Sequence, residues 1–200
     1  MLFSSNRLLV NVSLAAALAA GALVAPLASA AQADDSLNVN VTRKDDIVKV
    51  KADFAVDVSA PQAFAVLTDY DHMRDFLPGV AESKVIQRTG NRLVVSQSVR
   101  IKVGFIPVPL DSVRQVDLEP PYKMVSQALS GSVSKAQVTT TLTETQGKTI
   151  VTYESEATMN SWMPSGLGTS IIGAHVREQL THMRAEMLRR QGKAQKPGQP

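Results

Sequence analysis

Five polar side chains sit inside otherwise apolar runs of period two. Gln97 interrupts Leu93, Val95, Val99 and Ile101; Ser112 and Arg114 interrupt Leu110, Val116 and Leu118. Thr140 lies between Val138 and Leu142, and Tyr153 between Val151 and Ala157. A buried polar group must be hydrogen-bonded and a buried charge must be paired, so each position has two readings. Either these side chains turn into an apolar pocket and orient the polar end of a ligand, as a few placed polar groups do in such pockets. Or Arg114 sits at a sheet edge or pairs with an acid, while the others satisfy backbone groups or core water. Arg114 is the sharpest case, because a guanidinium cannot shed its proton to relieve burial.

The remaining reactive residue types give less. His175 and His182 stand seven apart, roughly 10 Å along a helix axis at 1.5 Å per residue, too far to share a metal as an i,i+4 pair does. They read as surface or flanking histidines, and His72, in Asp71-His-Met-Arg-Asp75, reads as solvated. Asp69, Asp71 and Asp75 read as caps and a solvated face, since no EF-hand spacing follows them. The sequence has no cysteine, which removes disulfides, thiolate metal sites and thiol nucleophiles. No Gly-x-Ser-x-Gly elbow, P-loop or dinucleotide glycine pattern occurs. No catalytic residue, metal or cofactor is therefore assigned. Trp162-Met163-Pro164, with Leu167, reads either as a buried corner or as a mouth in transient contact with a membrane.

The ends of the 200-residue chain differ from its middle. Arg7 is the only ionisable side chain before Asp34; an Ala/Leu run from Leu14 to Ala25 follows, then Pro26 and the small-x-small site Ala28-Ser29-Ala30. Residues 1–30 thus read as a cleaved secretory signal peptide, with a second possible cut after Ala33. The run is shorter and more Ala-rich than a membrane anchor. Cleavage removes one positive side chain and no acid from a chain whose formal charge is +3. The remainder is close to neutral, which argues against nucleic-acid binding. The expected location is periplasmic or secreted. Residues 191–200 (QGKAQKPGQP) read as a disordered tail.

Between them, residues 36–190 read as one domain. Leu37, Val39 and Val41 alternate with polar neighbours, and Val48 to Val58 form a longer alternating strand with Lys49, Lys51, Asp53 and Asp57 on its other face. Ser59-Ala-Pro-Gln62 predicts a capped helix start, and a second short helix stops at Pro78-Gly79. Five or six strands follow, with Phe105 on the apolar face of its strand and Pro107 and Pro109 bending the chain. Short turns at Thr89-Gly-Asn91, Pro120-Pro121 and Gln146-Gly147-Lys148 predict an antiparallel meander. The last element is a helix from about Gly166, capped by Ser165, to Arg190. Its stripe of Ile172, Val176, Leu180, Met183 and Met187 is expected to face Leu93, Val95, Val99, Ile101 and Val103. A helix of about 37 Å laid across a strongly curved sheet leaves a cavity between them.

From Phe54 to Met187 the sequence resembles the START-like (SRPBCC) superfamily, most of all the branch of coenzyme-Q-binding START-domain and polyketide cyclase-like proteins. The residues that carry the resemblance are Val58-Ser-Ala-Pro-Gln-Ala-Phe-Ala-Val-Leu-Thr-Asp-Tyr-Asp71, then Asp75-Phe-Leu-Pro-Gly79, and the closing amphipathic helix. It implies an α+β helix-grip fold, a curved antiparallel sheet wrapped around the long C-terminal helix. It also implies a hydrophobic cavity that in such proteins takes lipids, quinones, hormones or polyketides, with a minority doing chemistry. The expected ligand-binding residues are Gln97, Ser112, Arg114, Thr140 and Tyr153, with Ile101, Ile172 and Val176. The expected function is an exported carrier or sensor of a hydrophobic small molecule, a lipid or an isoprenoid quinone. The alternative is a cyclase/aromatase-like enzyme using Arg114 and Tyr153 in the same cavity. The ribosome-association toxins of the same branch are a third reading, against which the leader and near-neutral charge argue.

Overall fold

The computed structural model describes residues 37–103, 105–159 and 168–194. Strands β1 (Asn38–Lys44) and β2 (Ile47–Val56) come first. They are followed by helix α1 (Ala60–Leu67), a single 3-10 turn over Tyr70–His72 and the short helix α2 (Met73–Phe76). Six strands follow: β3 (Val80–Thr89), β4 (Arg92–Val103), β5 (Ile106–Glu119), β6 (Lys123–Gly131), β7 (Val133–Thr145) and β8 (Lys148–Met159). Helix α3 (Thr169–Ala194) closes the chain. All eight strands form one curved antiparallel sheet in the order β1-β2-β8-β7-β6-β5-β4-β3. The small helices carry the chain from β2 to the far edge at β3, along the open side of the sheet. The helix-grip fold expected from the sequence is the observed one.

The two-residue period fixes which face is buried. Along β2, Val48, Val50, Ala52, Phe54 and Val56 are buried while Lys49, Lys51 and Asp53 are exposed. Helix α1 begins as its sequence dictates: Ser59 donates its backbone N–H to Gln62 Oε1 at 3.1 Å, and Pro61 lies in the first turn. Glu144 on β7 accepts the backbone N–H of Ala60 at 2.7 Å, so one orphan donor of the helix start is met by a carboxylate. Beneath it, Thr149 is fully buried and donates to the Val58 carbonyl at 2.6 Å.

Helix α3 buries Leu180, Met183 and Met187; Ile172 and Val176 are half-buried. Three of its long polar side chains reach backbone carbonyls: Arg177 to Leu37 at 2.7 Å, Gln179 to Pro78 at 2.6 Å and Arg184 to Ala55 at 2.8 Å. The helix packs chiefly on β1, β2 and α1. The expected direct contact with β4 is replaced by a cavity, across which Gln97 and Val99 face Val176 and Leu180.

Three further expectations change. Pro107 and Pro109 do not bend the chain but lie within β5, where it pairs with β4 alone because β6 begins pairing only at Ser112. An unpaired edge tolerates proline. Phe105 is not on the apolar face: it is fully exposed at the β4–β5 turn. Helix α3 continues through Gln191–Ala194, residues expected in the tail, because nothing in Gln-Gly-Lys-Ala stops a helix outright. The expected Ser165 cap and the Trp162 segment lie outside the described residues.

Candidate functional site

The cavity between the sheet and α3 has a volume of about 290 Å3. The sheet supplies Gln97 and Val99 from β4, Arg114 from β5, Ser126 from β6, Thr140 from β7 and Tyr153 from β8. The small helices supply Tyr70, Met73 and Leu77, and α3 supplies His175, Val176, Gln179, Leu180 and Met183. Parity puts the strand residues there, since each inward position is two residues from the next.

Arg114 is the centre of the polar arrangement. Its Nη2 donates to Gln97 Oε1 at 2.6 Å, and its guanidinium carbon lies 5.7 Å from the centroid of the Tyr70 ring. Arginine has only donors, which fixes the Gln97 amide with its oxygen inward. The amide nitrogen then turns to Ser83 Oγ at 3.2 Å and Met73 Sδ at 3.6 Å. The Arg114 Nε is buried and has no hydrogen-bond partner among the described residues. No described cavity-lining residue is a carboxylate. The cavity thus presents a positive charge with no counter-ion among its described lining residues.

Tyr70 and His175, which line the same cavity, are held in their neutral forms at pH 7. Burial raises the Tyr70 phenol above its ordinary range, opposed by the Arg114 charge. Burial also pushes the His175 imidazole below its usual 6.5, opposed by Glu178. Each can therefore donate or accept a hydrogen bond without adding charge.

Of the eight residues expected to bind ligand, Gln97, Arg114, Thr140, Tyr153 and Val176 line the cavity. Ser112 does not: it lies at the rim, in a separate polar notch with Ser98, Asp111 and Gly131, because β6 ends beside it. Ile101 is buried beyond the cavity, on the segment of β4 that has left β3. Ile172 lies one turn short of the first cavity residues of α3. Neither isoleucine nor Ser112 is retained as a site residue.

Sequence reading missed Tyr70, Ser126, His175 and Gln179. Ser126 shares parity with the buried Met124, a signal that could have found it. His175 and Gln179 flank the Val176/Leu180 stripe. His72, as expected, is exposed; its Nδ1 lies 2.6 Å from Asp69 Oδ1. Asp69 also pairs with Arg190 at 2.8 Å. Asp71 accepts the backbone N–H of Val85 at 2.8 Å.

A larger groove of about 660 Å3 lies on the outer face of β2, β8 and β7. Four of its charges answer one another, Lys49 with Glu156 at 2.8 Å and Lys51 with Glu154 at 2.7 Å, and Lys135 is the remaining charge in its lining.

Residues 56–184 match the family described as polyketide cyclase/dehydrase and lipid transport. The chain belongs to that family. No curated protein matches the sequence. Among solved structures it is similar to a STAR-related lipid transfer protein from Xanthomonas axonopodis (16% identity, TM-score 0.61, 76% of this chain and 99% of that one). It is also similar to the Zhui aromatase/cyclase from Streptomyces sp. R1128 (16%, TM-score 0.60, 72% and 95%). A START superfamily protein from Mycobacterium smegmatis gives 11%, TM-score 0.59, 70% and 97%. At these identities the likeness shows the START-like fold. Membership in the polyketide cyclase and lipid transport family supports hydrophobic-ligand binding or cyclase-like function.

Proposed function

We propose that this chain is an exported, non-enzymatic carrier or sensor of a hydrophobic small molecule bearing an oxygen acceptor. The observation that carries the reading is Arg114, a cation lining a cavity that has no carboxylate among its described lining residues. A carbonyl, carboxylate or phosphate oxygen supplied by a ligand would meet the Arg114 guanidinium, and the apolar walls from Val99, Leu180 and Met183 would hold the rest. Lipids and quinones both fit that description. The volume of about 290 Å3 is at the small end for ligand pockets. It suits a head group with the start of a chain, and a long polyprenyl tail would need the mouth to widen. Export rests on the leader: an apolar cargo between two membranes needs a shield from water.

Native mass spectrometry, with lipid extraction, of protein recovered from its own cell envelope tests the reading. A bound apolar ligand with an oxygenated head is expected. Protein recovered empty, or holding a hydrocarbon with no acceptor, overturns it.

A second reading, a cyclase-like enzyme, is favoured by one observation. His175 is a neutral base lining the same cavity as Arg114. Turnover of a poly-β-keto substrate mimic, abolished by His175→Ala, would establish it.

A further inference from the structure

We infer that the β4–β5 hairpin is a docking arm for an anionic lipid surface. The last rung that β4 shares with β3 is Val80–Val99, and the last that β5 shares with β6 is Ser112–Gly131. Arg100, paired with Pro109, still donates its backbone N–H to the Gly79 carbonyl at 2.8 Å; beyond it the two strands pair only with each other, through Ile101–Val108, Lys102–Pro107 and Val103–Ile106. Three rungs at about 3.3 Å each extend about 10 Å, with Ile101 buried at the root and the exposed residues at the tip.

The arm has the chemistry of an interfacial anchor. At its tip Phe105 is fully exposed and Ile106 is 68% exposed, more than any other large hydrophobic side chain described. Behind the tip, Arg100 and Lys102 are exposed and form no ion pair among the described residues. No acid occurs between Val99 and Leu110. Apolar side chains backed by cations are what a headgroup layer of negative charge accepts.

A protein strand is a poorer occupant. Pro107 and Pro109 remove backbone donors from the β5 edge of the arm, so that edge cannot complete a ladder. A second apolar point stands beside the arm: Leu129, the extra residue of the β6 bulge, is 58% exposed. Its turn is tied to the arm's base by Asp111 N–H to Ser132 Oγ at 3.0 Å and Ser132 N–H to the Asp111 carbonyl at 2.8 Å. Val80 and Val99, the rung from which the arm departs, both line the cavity. Docking by the arm therefore sets the cavity rim against the bilayer.

The test is co-sedimentation of the full chain, as recovered from expressing cells, with vesicles. One set is phosphatidylcholine alone, and the other is phosphatidylcholine mixed with phosphatidylglycerol. The expected result is binding to the mixed vesicles that weakens with salt. Phe105→Ser/Ile106→Ser should lower it by about tenfold or more, and Arg100→Ser/Lys102→Ser by about tenfold on the anionic vesicles alone. No binding by the wild-type chain, or binding that neither pair changes, overturns the inference. So does a lower melting temperature in the tip pair, since the tip would then be packed rather than free. Loss of a soluble protein complex in place of vesicle binding would make the surface a protein interface and overturn it too. Ligand retention in solution should be unchanged in both pairs. A failure of docking is thereby separated from a failure of the proposed cargo function.

Discussion

The side-chain oxygen of Gln97 lies 2.6 Å from Nη2 of Arg114, and the two stand one diagonal step apart on neighbouring strands. The amide orients the guanidinium without neutralising it. A carboxylate in place of Gln97 would have closed the charge balance; an amide leaves the positive field available to whatever fills the cavity.

Arg114→Met should therefore strand no acid. Loss of the Gln97 hydrogen bond is worth about 1 kcal/mol and is offset by removing an incompletely paired charge. Stability is expected within about 1 kcal/mol of wild type, while retention of the bound ligand falls sharply. Thermal unfolding and native mass spectrometry on this one variant check both. A large loss of stability with unchanged retention would make Arg114 architecture.

Leu180 and Met187 share the α3 stripe but not the same surroundings. Leu180 borders the cavity, whereas Met187 is 1% exposed and packed on all sides. Leu180→Ala should cost about 2 kcal/mol and Met187→Ala about 3–4 kcal/mol, because a void beside existing space adds less new cavity. Urea unfolding of the two variants gives the comparison, and equal costs would mean the cavity is filled.

Glu186 is buried and accepts hydrogen bonds from Arg189 and Arg190, which hold its pKa down to about 2 from 4.5. A carboxylate depressed in the folded state stabilises fully above its unfolded value, and that contribution is lost as pH falls from about 4.5 through about 2. Glu186→Gln should cost about 2 kcal/mol at pH 7, since both arginines are partly solvent-screened. The difference should vanish near pH 2 in denaturant titrations.

His175 has the opposite consequence for its charge. Its folded-state pKa is lowered by burial below 6.5, so the folded chain resists protonation that the unfolded chain accepts. Stability should fall as pH drops below about 6.5, and His175→Gln should remove that part of the slope. A pH series of melting temperatures for the two proteins tests it.

N-terminal sequencing of protein outside the cytoplasm should find Ala31 or Asp34 first. Met1 retained on cytosolic protein would remove the exported reading.

Strand faces were legible in the sequence because a two-residue period is local: Gln97, Arg114, Thr140 and Tyr153 were placed inward by parity alone. Ser112 and Ile101 share that parity, yet lie at or beyond the rim. How far a neighbouring strand extends is set by where β3 and β6 stop, which no local pattern records. His175 was read as peripheral from its polar neighbours, but on a helix the relevant neighbours are four residues away. Phe105 was assigned inward because alternation was continued through the turn that ends β4. Tyr70 lies within the family signature, and nothing in its local pattern marks it as facing the cavity.

Three polar ties of α3, from Arg177, Gln179 and Arg184, end on main-chain carbonyls, whereas Arg190 ends on the Asp69 side chain. Every residue type carries a main-chain carbonyl. The positions that receive those three ties, Leu37, Pro78 and Ala55, are thus free to drift under selection for packing alone without releasing them. Divergence can consequently remodel the cavity walls while the grip persists, and a descendant could acquire a new cargo before acquiring a new fold.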